Sequence, residues 1–262
     1  MSEKDQLQFS DEPTRVKLLT EGLLAGQSGG WETSFSPSHG YISLDIGADA
    51  RDDCAVYRIR GDVDMVVGTD YVRGPKFTMY ELGLLSEYDL GYYLAVANIS
   101  DVAAMGATPA GFLSVVRYPR DMSDKTFMDI LRGITDGCSD HAALNVGGDI
   151  GSAERLILSG TAIGFCAPGR RLTRAGADSG DLVFLSGNTG IAGAAMHYFK
   201  HRQAKGWNLK SEDTARLLDA WRRPHAEVEL GKSLTEVKGV TSCADTSDGL
   251  RATIEQIASS SH

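Results

Sequence analysis

The run Leu90–Met105 is the most apolar helical stretch of this 262-residue chain, and a carboxylate sits inside it. Leu94, Ala97, Asp101 and Met105 recur at helical spacing, and Asp101 leads directly into Val102-Ala103-Ala104-Met105. Burying an unpaired carboxylate is costly, so this helix can enter a core on only three terms. Asp101 pairs with a base, lies at a wet edge of the helix, or ligates a metal ion. Composition raises the same question, because 23 of the 35 acidic residues are Asp and only 12 are Glu. Asp is disfavoured in helix interiors and belongs at turns, caps and ligand sites.

The net charge of -9 argues against non-specific binding to nucleic acid or to an anionic membrane surface. It leaves open small phosphates held through a cation. No apolar run approaches the roughly 18 residues of a membrane span. The start, Met-Ser-Glu-Lys-Asp-Gln, lacks the basic and apolar regions of a signal peptide. Cys54, Cys138, Cys166 and Cys243 lie far apart without a Cys-x-x-Cys pair, and read as reduced thiols of a cytoplasmic protein.

Hydrophobic periodicity predicts a helix over Arg15–Leu24, a loop over Gly26–Gly40, and strands at Tyr41–Ile46, Cys54–Ile59 and Met65–Thr69. Arg73–Asp89 reads as irregular. The apolar helix is followed by a strand at Phe112–Arg117 and an amphipathic helix over Ser123–Ala143, with Phe127, Ile130, Leu131 and Ile134 inward. A strand at Leu156–Cys166 precedes the turn-rich Ala167–Asp181, which is read as the border between domains 1–167 and 168–262. The second domain is expected to hold strands at Leu182–Ser186 and Val240–Ala244. Its expected helices are Ile191–Lys200, Glu212–Trp221, Glu227–Glu236 and Leu250–Ile257. This mixture makes an α/β or α+β chain.

Five short motifs put Asp beside Gly, Ser or Thr at the ends of apolar runs. They are Arg51-Asp52-Asp53-Cys54-Ala55, Gly68-Thr69-Asp70, Asn98-Ile99-Ser100-Asp101, Gly147-Gly148-Asp149 and Asp245-Thr246-Ser247-Asp248-Gly249. Each alone favours a turn or helix cap by about two to one. If Asp53, Asp70, Asp101, Asp149 and Asp248 converge, each like-charge pair at about 4 Å costs on the order of 4 kcal/mol at an effective dielectric of 20. Such a cluster needs cations, and oxygen-only ligands select hard ions such as Mg²⁺, which completes its shell with water and phosphate oxygens. That chemistry points to a nucleoside triphosphate site, although Walker and protein-kinase motifs are absent.

The ordered series resembles thiamine-monophosphate kinase, in the superfamily of aminoimidazole ribonucleotide synthetase, selenophosphate synthetase and the hydrogenase-maturation carbamoyl dehydratase. The matching text starts with Asp52-Asp53-Cys54-Ala55-Val56 and Gly68-Thr69-Asp70. The run Leu94-Ala95-Val96-Ala97-Asn98-Ile99-Ser100-Asp101-Val102-Ala103-Ala104-Met105-Gly106-Ala107-Thr108-Pro109 follows. Gly147-Gly148-Asp149, Gly169–Ala177 with Gly180-Asp181, Arg223-Pro224 and Asp245–Leu250 complete it, over about residues 40 to 258. The resemblance implies a two-domain fold like that of aminoimidazole ribonucleotide synthetase, whose N-terminal sheet makes a shared barrel in a homodimer. It implies ATP- and Mg²⁺-dependent phosphoryl transfer to a small-molecule phosphate acceptor, thiamine monophosphate. By position, Asp53, Asp70, Asp101, Asp149 and Asp248 are metal ligands, with Asp101 and Asp248 central to catalysis and Asp52 and Asp245 second choices. Asn98, Gly147 and Gly148 line the nucleotide phosphates, and Arg174 is an anion contact or a solvated surface residue.

The departures fall mostly where the acceptor would bind. Ala48-Asp49-Ala50-Arg51 intervenes before the acid pair, where the family has Gly, so Asp49 competes for a role. Gly74-Pro75-Lys76-Phe77 has Lys where the family has His. Ile191 replaces a polar position, and Glu227 lies where an Arg is expected. The family's last portion, with a Gly-Gly-Glu-Asp-Tyr segment, is missing after His262, which leaves the second domain's sheet incomplete. Two alternatives follow: a superfamily enzyme with another acceptor, or a non-catalytic nucleotide-binding subunit. Selenophosphate synthetase and the carbamoyl dehydratase are disfavoured, because no Cys precedes Cys54 and the chain ends Ser-Ser-Ser-His.

Overall fold

The computed structural model describes residues 14, 15, 18, 32–35, 40–46 and 56–261. Asp49, Asp52, Asp53 and Cys54 lie outside them, as do most of the predicted Arg15–Leu24 helix and of the Gly26–Gly40 loop.

Two sheets form. Strands β1 (Glu32–Phe35), β2 (Gly40–Ile46) and β3 (Val56–Arg60) make an antiparallel three-stranded sheet in that order. The larger sheet comprises β4 (Asp64–Tyr71), β5 (Thr108–Tyr118), β6 (Leu144–Ser152) and β7 (Ile157–Cys166), in the order β4-β7-β5-β6. Its β5–β6 pair is parallel and the others are antiparallel. Val66, Phe112, Val116, Leu158 and Ala162 are buried on one face of it, whereas Met65, Val67, Tyr71 and Ile157 on the other remain exposed. At one end of that open face Ile42 and Tyr57 of the small sheet pack with Ala110, Ile163 and Phe165.

The covered face carries α2 (Glu87–Ala104) and α3 (Asp124–Ser139), and a short α1 (Pro75–Glu81) precedes them. Helix α2 is buried on nearly every side, between the sheet, α3 and the C-terminal helices, which is why its sequence is apolar all round. Its start is fixed by a capping box. The Ser86 hydroxyl oxygen accepts the Asp89 N–H at 3.2 Å, and Asp89 Oδ2 accepts the Ser86 N–H at 2.9 Å. Helices α2 and α3 approach through glycines: a Cβ on Gly133 would lie 2.0 Å from the Tyr88 carbonyl oxygen, and one on Gly91 2.1 Å from that of Ile130. We therefore expect Gly133→Ala to destabilise the fold by about 1–3 kcal/mol through overpacking, against a propensity gain of about 1 kcal/mol. Urea unfolding measures the balance, and a more stable variant would refute the tight crossing.

Four further helices, α4 (Ile191–Lys205), α5 (Ser211–Arg222), α6 (Val228–Leu234) and α7 (Leu250–Ser261), make up the C-terminal part. Ala195, Tyr198, Phe199, Trp221, Ala226 and Val228 join the core around α2. Buried Asp89 also binds Arg223 at 2.8 Å, and Arg222 donates to the Leu84 carbonyl at 2.7 Å, so α5 is tied to the start of α2. Among the described residues no helix is long and apolar enough to cross a membrane. Cys138, Cys166 and Cys243 are free thiols.

Five sequence expectations need correction. Glu32–Phe35, inside the expected Gly26–Gly40 loop, is strand β1, held by its pairing with β2. Arg73–Asp89, read as irregular, contains α1, begun by Pro75 in the first turn. Leu144–Ser152, not read as a strand, is β6. Its glycines hid it, and Gly148 is required there, because a Cβ would lie 2.0 Å from the Ser114 carbonyl oxygen. The predicted strands Leu182–Ser186 and Val240–Ala244 are without regular structure. A strand needs a ladder partner, and residues 168–261 supply none. Leu182, Val183 and Phe184 are instead 79%, 73% and 83% exposed, and Cys243 makes a single backbone bond to the Thr173 carbonyl at 2.8 Å.

Candidate active site

The end of β4 brings Asp70 to α2. Buried Asn98 holds it there: its Oδ1 accepts the Asp70 N–H at 2.8 Å, while its Nδ2 donates to the Leu94 carbonyl at 2.8 Å. Gly68, two residues earlier on the same face, leaves room for the next acid, since a Cβ there would be 3.8 Å from that of Asp101. The turn Asp245–Gly249 brings the C-terminal acids to the same place. Ser100 Oγ lies 3.4 Å from Asp245 Oδ2, and Arg73 Nη2 lies 3.9 Å from Asp248 Oδ1. Gly249 allows this turn through its φ of 96°, and Thr253 in the first turn of α7 binds the Asp245 carbonyl at 2.9 Å.

Electrostatics marks these side chains as one group. Burial, then the charges of Asp245 and Asp70, push the Asp101 carboxyl up from 3.8 to about 6; Arg174 opposes the shift and Asp248 adds to it. Burial lowers the Lys76 ammonium, against the pull of Asp70, Asp248 and Asp245. Burial and the same three acids raise the Tyr93 hydroxyl. So the electrostatics couples Asp70, Asp101, Asp248 and Arg174 of the sequence expectation with Asp245, its second choice. Lys76, Arg73 and Tyr93 are functional candidates that sequence reasoning did not place at the acids. Lys76 alone gave a signal, as a basic residue where a His was expected.

Other expected site residues stand apart. Asp149 pairs with Arg117 at 2.5 Å. It lies in the cross-strand row Tyr71, Ser159, Val115, Asp149, on the open face of the sheet and one residue out of step with Asp70. Gly147 and Gly148 lie beside it on the edge strand β6. Asn98, expected at the phosphates, is fully buried with both amide ends engaged by the backbone, so its place is behind Asp70.

A test of metal fit gives a specific answer. Among the described residues no three acidic, His or Cys side chains converge on a point that could hold an ion. The acids are near enough to disfavour one another's charge and too far apart to form an all-protein cage. Mg²⁺ is suited to such a set, because it is commonly held by one or two carboxylates plus phosphate oxygens and water.

Residues 51–166 match the family model "AIR synthase related protein, N-terminal domain". The chain is similar to the thiamine-monophosphate kinase of Bacillus subtilis (strain 168), 27% identical over 84% of this chain and 66% of the relative. It is similar to that of Pyrococcus abyssi, 31% identical over 66% of this chain and 52% of the relative. A crystal structure of thiamine-monophosphate kinase from Stenotrophomonas maltophilia K279a superposes with a TM-score of 0.71 at 29% identity, covering 83% of this chain and 66% of that one. The chain thus spans about half to two thirds of the length of these relatives. The matched residues hold β3 to β7 with α1 to α3, and therefore Asp70, Asn98, Asp101 and Asp149. Asp245, Asp248 and Arg174 come from beyond it.

Proposed function

We propose that the protein is an ATP- and Mg²⁺-dependent kinase that phosphorylates thiamine monophosphate to the diphosphate. The observation that carries this is the grouping of four acids from β4, α2 and the turn before α7: Asp245 Oδ2 lies 3.4 Å from Ser100 Oγ beside Asp101, and a Cβ on Gly68, next to Asp70 on the same face, would lie 3.8 Å from that of Asp101. A site that disfavours its own negative charge is completed by a divalent cation, and similarity to thiamine-monophosphate kinases gives the chemistry. Asp70, Asp101 and Asp248 would hold Mg²⁺ together with phosphate oxygens, with Asp245 beside them and Asp53 contributed from outside the described residues. The ion would supply neutralisation of charge on the transferred phosphoryl group. Arg174 would bind a phosphate near Asp101, and Asn98 would keep Asp70 in place.

The reading has two structural parts. Residues 1–167 form the nucleotide and dimerisation domain, and 168–262 a C-terminal domain. Two copies form a homodimer by closing their open sheet faces into a barrel, which would bring Asp149 to a nucleotide-bound Mg²⁺ and Gly147 and Gly148 to nucleotide phosphates at the interface. The enzyme would work in the cytoplasm on a small molecule, without nucleic acid.

The test is ADP release. We expect it to require Mg²⁺ and thiamine monophosphate together, and to stop when thiamine replaces the monophosphate. Binding of ATP without ADP production under those conditions would overturn the kinase reading.

A further inference from the structure

The Arg117–Asp149 pair stands on the open face of the sheet, among exposed Val115 and Ile157, where a charge needs a reason. Arg117 follows Val115 by two residues on β5, and its cross-strand row is Ile157, Arg117, Gly151. It therefore shares a face with Asp149, one row along, near the C-terminal ends of the parallel strands β5 and β6. The guanidinium has a seat there. Arg117 Nη2 lies 2.5 Å from Asp149 Oδ2, and a Cβ on Gly151 would lie 2.0 Å from Nη1 and 3.2 Å from Cζ. Gly151 has a φ outside the left-handed region, so its missing side chain makes room for Arg117 and does not serve a bend of the chain.

As a stability device the pair is poor. Arg117 is 37% and Asp149 62% exposed, and exposed ion pairs contribute little. As a binding device it is half used. A guanidinium has five N–H donors in a planar fork, and among the described residues Asp149 alone engages them. The unused donors suit a phosphate group, which arginine grips through two of them at once. Gly147 and Gly148, placed above at the nucleotide phosphates, precede Asp149 on the same strand. Ligands of open α/β sheets also collect at the carboxyl ends of the strands. We propose that Arg117 is a phosphate-binding residue of the nucleotide site, held on Asp149 until that carboxylate meets nucleotide-bound Mg²⁺. This rests on the kinase reading above. A cation on Asp149 repels a guanidinium so close to it, so Arg117 turns to a phosphate oxygen.

The experiment is calorimetric binding of ADP, with Mg²⁺ and with EDTA, to the wild type, Arg117→Met, Gly151→Ala and Asp149→Asn. Thiamine monophosphate is the control probe, and sedimentation checks that assembly is unchanged. We expect Arg117→Met to weaken Mg²⁺–ADP by about 10–100-fold, the loss of charge-assisted hydrogen bonds to phosphate. Thiamine monophosphate should bind as before. Gly151→Ala keeps both charges but displaces the guanidinium, so it should lose part of the same affinity. If Arg117→Met alters assembly, Gly151→Ala carries the test, and its unchanged affinity would then overturn the proposal. Asp149→Asn distinguishes a binding role from a structural pair. With EDTA it should bind ADP more tightly than the wild type, because Arg117 is released; with Mg²⁺ it should bind less tightly. Unchanged Mg²⁺–ADP affinity in Arg117→Met would overturn the proposal. So would equal losses of ADP and thiamine monophosphate, or weaker ADP binding by Asp149→Asn under both conditions. A wild type that binds no Mg²⁺–ADP would remove the nucleotide reading itself, and the Arg117 assignment with it. A wild type that binds Mg²⁺–ADP but not thiamine monophosphate, with the Arg117→Met loss as expected, would keep the Arg117 assignment and remove only the acceptor.

Discussion

Asp101→Asn is expected to lower turnover by roughly 10²–10³-fold or more, as loss of a group that stabilises transition-state charge does, while making the metal-free protein more stable. The two effects share one cause. Burial and the neighbouring acids raise the Asp101 carboxyl to about 6 from 3.8. The folded state therefore holds the proton more tightly than the unfolded state. Ionised Asp101 destabilises the metal-free fold; the penalty is absent below about pH 4, grows as the pH rises, and is complete above about pH 6. Asp101 is only half-buried, so solvent screening reduces the cost to on the order of 1 kcal/mol. Asparagine is neutral at every pH. We expect the variant to melt about 2–4 °C above the wild type at pH 8 and level with it at pH 4. Mg²⁺ with nucleotide should reverse the order at pH 8, stabilising the wild type more. Wild-type turnover in the variant would remove Asp101 from the metal site. A melting difference independent of pH would remove the electrostatic explanation.

What was legible in the sequence follows the range of each signal. The α2 helix was readable because its apolar run is longer than a strand and carries Asp101 at helical spacing. Inward-facing Phe127, Ile130, Leu131 and Ile134 of α3 were readable from period alone, and all four are buried. Local chemistry misled where one residue has two uses. Arg73–Asp89 reads as irregular, yet Pro75 opens α1, and so Lys76 was not placed against Tyr93. Asp70, Asp101 and Asp248 were picked out by their motifs, and they do lie together. Asp149 was picked out equally well, but its direction depends on the strand register of β6, and without the strand its face could not be read. Leu182–Ser186 has the β propensity of a strand but lacks the partner that would make it one, and pairing is not a property of the segment itself.

The largest assembly effect is expected from the open sheet face. Met65, Val67 and Tyr71 of β4 are 60%, 54% and 48% exposed, and Leu113 and Val115 of β5 are each 36% exposed. They share one face of the sheet, on strands that flank β7, where exposed apolar groups in such a set mark a contact surface. The double variant Val67→Glu, Val115→Glu separates folding from association. In an isolated protomer both positions already meet water, so the change should alter stability by less than about 1 kcal/mol. In a dimer closed through this face, each copy would bury two unpaired carboxylates, four in all, at a cost of several kcal/mol. We expect the dimer dissociation constant to rise on the order of 10³-fold or more, since each 1.4 kcal/mol is about tenfold. Sedimentation would then find a folded monomer. Activity should fall with assembly, because Asp149 lies in the same row as Val115 and would reach nucleotide only where two faces meet. Single Glu substitutions should give intermediate dissociation, and a higher protein concentration should restore part of the activity. A variant that stays dimeric and active would move the interface to another surface. A monomeric variant with full turnover would leave the assembly through this face but confine the site to one chain, with Asp70, Asp101, Asp245 and Asp248 sufficient for the metal.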